Sequence, residues 1–384
     1  MMRGSTEESI RAVLSEMAQV QVWSTQNRHQ IEGVGLCIAL PQRSAEAWTL
    51  DDEQAIDFFE LPESFARTYL QVQLRDFLYE SFCEPAIETS VAADAQILAN
   101  DRVSGGLHTA LLEQFQQSNC GQGYFDAGWR VVSPEQNGAL SVEKYGVVLS
   151  VERSRHLLPT QSPTAPNQHV SIRLPCYRFE PGYYIAIGDR GSVTEPATEI
   201  YFAASALALP SLLKTLTTAL NQEIAMPFTL RAPYEPEEYR GAEAIALRIT
   251  KSSLAQIKPL LKRIRAAHTP EQIRTDAPLF GHSLFPGIST ADVIESNSTD
   301  WFGSSADFSR LELVAAALAD HWMQKLHDPG TFSALGESEP EKAKAETTGA
   351  SASERAILSS IQQRFEQAGL CWQQPYLHHP HMAS

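Results

Sequence analysis

Three histidines near the C-terminus, His378, His379 and His381, have the type and spacing that most directly suggest chemistry, because imidazoles this close could share a metal ion. Their place in the last few residues favours a solvated tail instead. His321 lies beside Trp322 in a run with helical spacing and reads as a packing residue. Cys37, Cys83, Cys120, Cys176 and Cys371 are odd in number, widely spaced and without a Cys-x-x-Cys pair. They suggest neither a disulfide framework nor a zinc site, so reduced thiols and no bound metal are expected. There is no Walker loop, no Gly-x-Gly-x-x-Gly, no His-Glu-x-x-His and no Gly-x-Ser-x-Gly. Nucleotide hydrolysis, dinucleotide redox chemistry, zinc proteolysis and α/β-hydrolase chemistry all lose ground.

The elements that must position any site follow from composition and periodicity. A chain of 384 residues, 43% hydrophobic, suffices for one large domain or two modest ones with a buried core. The net charge of −16 argues against nucleic acid and anionic membranes as partners, since both need a basic surface. No apolar run reaches the roughly eighteen residues a bilayer span needs, and the N-terminus is acidic and amphipathic, unlike a signal peptide. A cytoplasmic protein is expected, with secretion by a non-classical route left open. Charge is uneven: residues 1–139 hold 8 Lys/Arg against 20 Asp/Glu, residues 140–310 hold 17 against 17, and residues 311–384 hold 5 against 9. The neutral middle is where a pocket for an anion is most easily built.

Thr6, Glu7 and Glu8 before Ile10, Val13, Leu14 and Met17 predict a capped amphipathic helix. Helical spacing recurs over 64–83 and 106–117. From Trp129 the period changes: 139–144 and 147–152 flank Tyr145-Gly146 and predict a hairpin with a tight turn. Strand runs follow at 170–178, 183–188 and 199–203, then a helix over 210–222, strands at 228–232 and 244–250, and a helix over 252–266. A Pro/Gly/Ser-rich passage (277–305) precedes helical spacing over 311–326. The expected fold is α+β, a largely antiparallel sheet with helices packed on one face. Its expected parts are a helical N-terminal part (1–121), a core (122–330), a disordered linker (336–353), a C-terminal helix (354–370) and a flexible tail (371–384). The core is expected to fold without the linker and tail.

Several segments resemble a known family. They are Gly123-Tyr-Phe-Asp-Ala-Gly-Trp-Arg-Val-Val, Gly138-Ala-Leu-Ser-Val-Glu-Lys-Tyr-Gly-Val, Arg155-His-Leu, Pro181-Gly-Tyr-Tyr-Ile-Ala-Ile-Gly, Glu199-Ile-Tyr-Phe, Pro227-Phe-Thr-Leu-Arg with Tyr234-Glu-Pro, Ala277-Pro-Leu-Phe with Pro286-Gly, and Phe302-Gly. Their ordered succession from about Gln122 to Arg310 is similar to the HopA-type family of type III secretion effector-like proteins.

The resemblance implies a chemistry, because some HopA-like proteins of peptide natural-product pathways look like phospholyases that eliminate phosphate from phosphoserine or phosphothreonine in a peptide. Such a β-elimination needs a base for the α-proton, an acid for the leaving group and a clamp for the phosphate. Carried onto this sequence, Lys144 is the base, His156 or Tyr184 the acid, and Arg155, Arg231 and Arg240 the clamp, converging on one pocket with no cofactor. The implied partners are a phosphorylated peptide or protein and a kinase-like protein. Two alternatives stand beside the lyase: a non-catalytic adaptor for a peptide or kinase, and an effector-like protein-interaction module.

Overall fold

A computed structural model describes residues 7–25, 35–40, 48–49, 61–83, 103–104, 107–135, 138–158, 160, 165–180, 182–193, 196–233, 239, 241–294, 305–326 and 352–378. Thr6, Arg240, His379, His381 and residues 336–351 of the expected linker lie outside the described residues.

In chain order the first elements are helix α1 (Glu7–Met17), strands β1 (Gln21–Thr25), β2 (Gly35–Ala39) and β3 (Trp48–Thr49), and helix α2 (Glu63–Phe82). Strands β4 (Val103–Ser104) and β5 (Leu107–His108) lead into helix α3 (Thr109–Ser118). Then come β6 (Tyr124–Pro134), β7 (Ala139–Lys144), β8 (Val147–Glu152), the single turn α4 (Arg153–His156), β9 (His169–Leu174), β10 (Tyr177–Glu180), β11 (Tyr183–Ile187) and β12 (Ala197–Phe202). Helix α5 (Leu209–Thr218), β13 (Thr229–Pro233), β14 (Ile245–Thr250) and α6 (Leu254–Ala267) follow. Last are β15 (His282–Phe285), β16 (Ile288–Asp292), helices α7 (Ala306–Leu326) and α8 (Ala352–Gln367), and the strands β17 (Leu370–Cys371) and β18 (Gln374–His378). Among the described residues no helix is long and apolar enough to cross a membrane.

The chain divides into two compact units. One is built from the two ends of the sequence: Met1–Ala86, Pro278–His282 and Ile294–Ser384. Its core is an assembly of helical stripes three and four residues apart: Ile10, Leu14 and Met17 of α1, Leu70, Leu74 and Leu78 of α2, Leu311, Val314 and Leu318 of α7, and Ile357, Ile361 and Phe365 of α8. The expected helical N-terminal part contains strands as well as helices. β1, β2 and β3 form a three-stranded antiparallel sheet, in which Val22 and Ile38 sit opposite one another and are both buried. The expectation of a flexible tail is corrected as far as His378. Gly369, at φ +75°, ends α8 in the left-handed conformation open to glycine, and the chain returns as the β17–β18 hairpin with Leu370 buried.

The other unit comprises Ile87–Ala277 and Ser283–Val293. A four-stranded sheet, in the order β8-β7-β6-β9, buries Trp129, Val131, Leu140, Val142, Val170 and Ile172. A seven-stranded sheet has the order β10-β11-β13-β14-β12-β16-β15. Its Tyr184, Ala186, Ile200, Phe202, Leu230, Ala232, Ile245 and Leu247 share a core with Leu212 and Leu216 of α5 and with Ile257 and Leu261 of α6. This is the expected α+β arrangement, an antiparallel sheet with helices on one face. Helix α3, expected in the N-terminal part, instead supplies Leu111 and Phe115 to this core.

Candidate functional site

Successive strand residues point to opposite faces, so the face of the seven-stranded sheet away from the helices is set by register. Arg231 of β13 stands opposite Ile185 of β11 and Ala246 of β14; Ala246 stands opposite Tyr201 of β12, and Arg248 opposite Glu199. Ala246, Ser289 and Ala291, which share this face, are small and buried.

Glu199 is only 3% exposed, and both its oxygens are engaged. Arg248 donates to Oε1 from Nε at 2.9 Å and from Nη2 at 2.6 Å, and the Tyr201 hydroxyl donates to Oε2 at 2.7 Å. Burial pushes the Glu199 carboxyl up, but the charges of Arg248 and Arg231 and the hydrogen bonds from Tyr201 and Arg248 outweigh it and hold the group below the usual carboxylate range.

Arg231 is 9% exposed, with its guanidinium carbon 4.8 Å from the centre of the Tyr183 ring. Burial works against its charge; Glu199, Tyr183, Tyr201 and Glu243 more than offset this and keep it cationic. Among the described residues its guanidinium makes no hydrogen bond, and the Glu199 carboxylate beside it accepts from Arg248 and Tyr201. A guanidinium is a planar fork of five N–H donors, a shape that matches a carboxylate or a phosphate.

Lys144 occupies a different place, at the end of β7 in the four-stranded sheet. Its ammonium donates to Asp126 Oδ1 at 2.9 Å, Asp126 Oδ2 at 2.8 Å and the Ala127 carbonyl at 2.7 Å, while Trp129 Nε1 donates to Asp126 Oδ2 at 2.6 Å. The register of β6 against β9 shifts between Asp126 and Trp129, where Gly128 has φ +87°. Lys144 thus pins a β-bulge, and its donors are committed to that task. An open cleft of about 310 Å³ beside it is lined by Ala127, Gly128, Arg130, Glu143, Lys144, Tyr145 and His169. Arg130 there is paired with Glu143 at 2.8 Å.

Of the six residues singled out by resemblance, the five that are described lie on different elements: Lys144 on β7, Arg155 and His156 on α4, Tyr184 on β11 and Arg231 on β13. Tyr184 pairs with Ala232 and is fully buried in the helix-side core against Phe115, its ring centre 5.3 Å away, so it faces away from Arg231 across the sheet. Burial raises the Tyr184 phenol far above its ordinary value, and its oxygen accepts from Asn119 at 3.0 Å. These placements correct its expected role as an acid beside Arg231. His156 and Arg155 lie on α4, where His156 Nδ1 is 3.1 Å from the Glu152 backbone nitrogen and Arg155 is exposed. Arg231 meets a buried polar cluster. Glu199, Arg248, Tyr201 and Tyr183 around it were missed by sequence reasoning. The available signal was charge at alternate positions of otherwise apolar strands, Glu199 in β12 and Arg248 in β14.

Fold and site together define an α+β protein with an arginine-bearing polar face on its main sheet. The HopA1 effector protein family model matches residues 174–377, more than half of the chain, and the chain belongs to that family. Tyr184, Arg231 and Arg240 lie within the match; Lys144, Arg155 and His156 precede it. Among solved structures, the effector protein from Pseudomonas syringae pv. tomato strain DC3000 is similar at 12% identity and TM-score 0.37, covering 82% of this chain and 97% of that one. The effector protein from Pseudomonas syringae pv. syringae strain 61 is similar at 12% identity and TM-score 0.40, with the same coverage. The family assignment rests on the family model and not on these two. No curated protein matches the chain.

Proposed function

We propose that this HopA1 family member recognises a phosphorylated serine or threonine in a peptide or protein partner, with Arg231 taking the phosphate. The observation that carries the reading is a guanidinium nine-tenths buried, stacked on Tyr183 and without a hydrogen bond among the described residues. A bound oxyanion would give this guanidinium charge-assisted hydrogen bonds, the strong kind, where the described residues give it none. Phosphate is the biological anion that best matches a planar fork. Recognition is favoured over elimination because Lys144, the base the resemblance implies, gives its donors to Asp126 and Ala127 on the other sheet.

The test is a fluorescence titration with a phosphothreonine peptide and its unphosphorylated twin, followed by mass measurement of the recovered peptide. The phosphorylated form should bind more tightly and return with unchanged mass. Arg231→Leu should weaken it by about 1.5–3 kcal/mol, and Arg231→Lys, which keeps the charge without the fork, should restore only part of that. Equal affinity for both peptides would end the proposal, and recovery of a peptide lighter by phosphoric acid would replace recognition with elimination.

A further inference from the structure

The four-stranded sheet ends in an edge that nothing among the described residues covers. β8 pairs with β7 without a register shift, from Lys144 opposite Val147 to Ala139 opposite Glu152. The connecting turn has positive φ at both central residues, 52° at Tyr145 and 80° at Gly146, as a two-residue hairpin loop requires. In such a hairpin the residues flanking the turn exchange backbone hydrogen bonds, and hydrogen-bonded pairs alternate with non-bonded ones along the ladder. Val147, Leu149 and Val151 therefore bond inward to β7, while Val148, Ser150 and Glu152 direct N–H and C=O outward. The Glu152 N–H fits this assignment, because it donates to His156 Nδ1 at 3.1 Å. His156 closes one end of the edge; among the described residues nothing claims the outward groups of Val148 and Ser150.

Edges of this kind are usually blunted by proline, a bulge or charge. β8 has none before Glu152, and Tyr145, Val147 and Val148 are 93%, 53% and 59% exposed. At its far end the turn α4 carries two cations. Arg155 is exposed, Arg153 Nε is buried with no hydrogen-bond partner, and neither forms an ion pair among the described residues.

We propose that β8 is a docking edge for an extended acidic segment of a partner protein, which adds as a fifth strand with its carboxylates against Arg153 and Arg155. Main-chain bonds to Val148 and Ser150 supply the pairing, Val147 and Val148 the apolar contact, and the two arginines the preference for acid. A second copy is the poorer occupant: antiparallel pairing of β8 with itself brings the arginines of each copy to the apolar start of the other, between chains of net charge −16. This proposal uses a different sheet and different residues from the phosphate reading, so either can fail alone.

The probe is a labelled peptide of alternating valine and threonine ending in glutamates, used with its lysine-ended and backbone N-methylated counterparts on the full chain. The acidic peptide should bind, the N-methylated one should not, and the lysine-ended one should bind roughly tenfold more weakly. Val148→Pro removes one outward N–H while leaving the β7 ladder whole, and should cut affinity roughly tenfold. Val148→Thr, which keeps the N–H, should not, and Arg155→Glu should reduce the preference for the acidic peptide. Binding that survives both N-methylation and Val148→Pro overturns the proposal. So does a chain that sediments as a dimer and becomes monomeric on Val148→Pro, since the occupant would then be a second copy.

Discussion

A carboxylate out of water survives as an anion only where cations and donors surround it, and Glu199 has Arg248, Tyr201 and the nearby charge of Arg231. The consequence is a pH dependence with a definite sign. The folded-state pKa of Glu199 lies below its ordinary value, so the folded protein binds its proton less readily than the unfolded chain does. Its contribution is therefore fully present above the unfolded value of about 4.3 and is lost as pH falls through the lower folded value. Denaturant melts between neutral pH and pH ~3 should show wild type losing more stability on acidification than Glu199→Gln; parallel losses would refute the linkage. Arg248→Met should destabilise by about 3–5 kcal/mol at neutral pH, because it strands a buried charge, and chemical denaturation reads this directly. Arg231 was legible as a basic residue in a family-like segment, but its surroundings were not. Glu199 and Arg248 are 49 positions apart and meet only because β12 and β14 are neighbours, a fact of sheet order that no local pattern carries.

The elements were legible where local rules are strict and lost where they are loose. The β7–β8 hairpin follows from two apolar alternating runs around Tyr145-Gly146, and its turn has the expected conformation. The run 170–178 read as one strand but is two, broken at Pro175-Cys176, because proline removes a ladder donor. β15 and β16 were hidden in a stretch rich in Pro, Gly and Ser, and they are only four and five residues long. β16 pairs with β12 along its whole length, and the turn between β15 and β16 needs a glycine. Gly287 has φ +74°, and a Cβ there would lie 1.7 Å from the carbonyl oxygen of Arg274, an overlap with backbone that no rotamer change relieves. Gly287→Ala should therefore cost about 2 kcal/mol or more, well beyond the roughly 1 kcal/mol of an ordinary Gly→Ala strain. Thermal melting of the variant decides it, and an unchanged midpoint would show that the turn shifts freely.

At the scale of the whole chain, the sequence reads as a helical start, a core and an appended C-terminal segment, while the structure joins the two ends in one unit. Periodicity shows that α1, α2, α7 and α8 each have an apolar face but not which faces meet, since contact across more than 300 positions leaves no local trace. The polar links tell the same story: Ser15 of α1 donates to Glu354 of α8 at 2.7 Å, and Asp320 of α7 is shared by Arg67 of α2 and Arg364 of α8. The expectation that the core folds without the linker and tail does not extend to the C-terminal helix, and a deletion that also takes α8 reaches into this unit's core. Deleting residues 352–384 removes Ile357, Ile361, Phe365 and Leu370, all buried, and at about 1.5–3 kcal/mol each the loss is roughly 6–12 kcal/mol. That rivals the 5–15 kcal/mol or so that holds a typical domain together, so the unit made from the two chain ends should unfold. The other unit keeps its own core and should persist. Hydrogen exchange read by mass spectrometry separates the two outcomes: in the truncated chain, peptides from α2 should exchange as an unfolded chain does while those from β12 and β14 stay protected. Full protection of α2 after the deletion would mean that α8 and its hairpin only decorate a core complete without them.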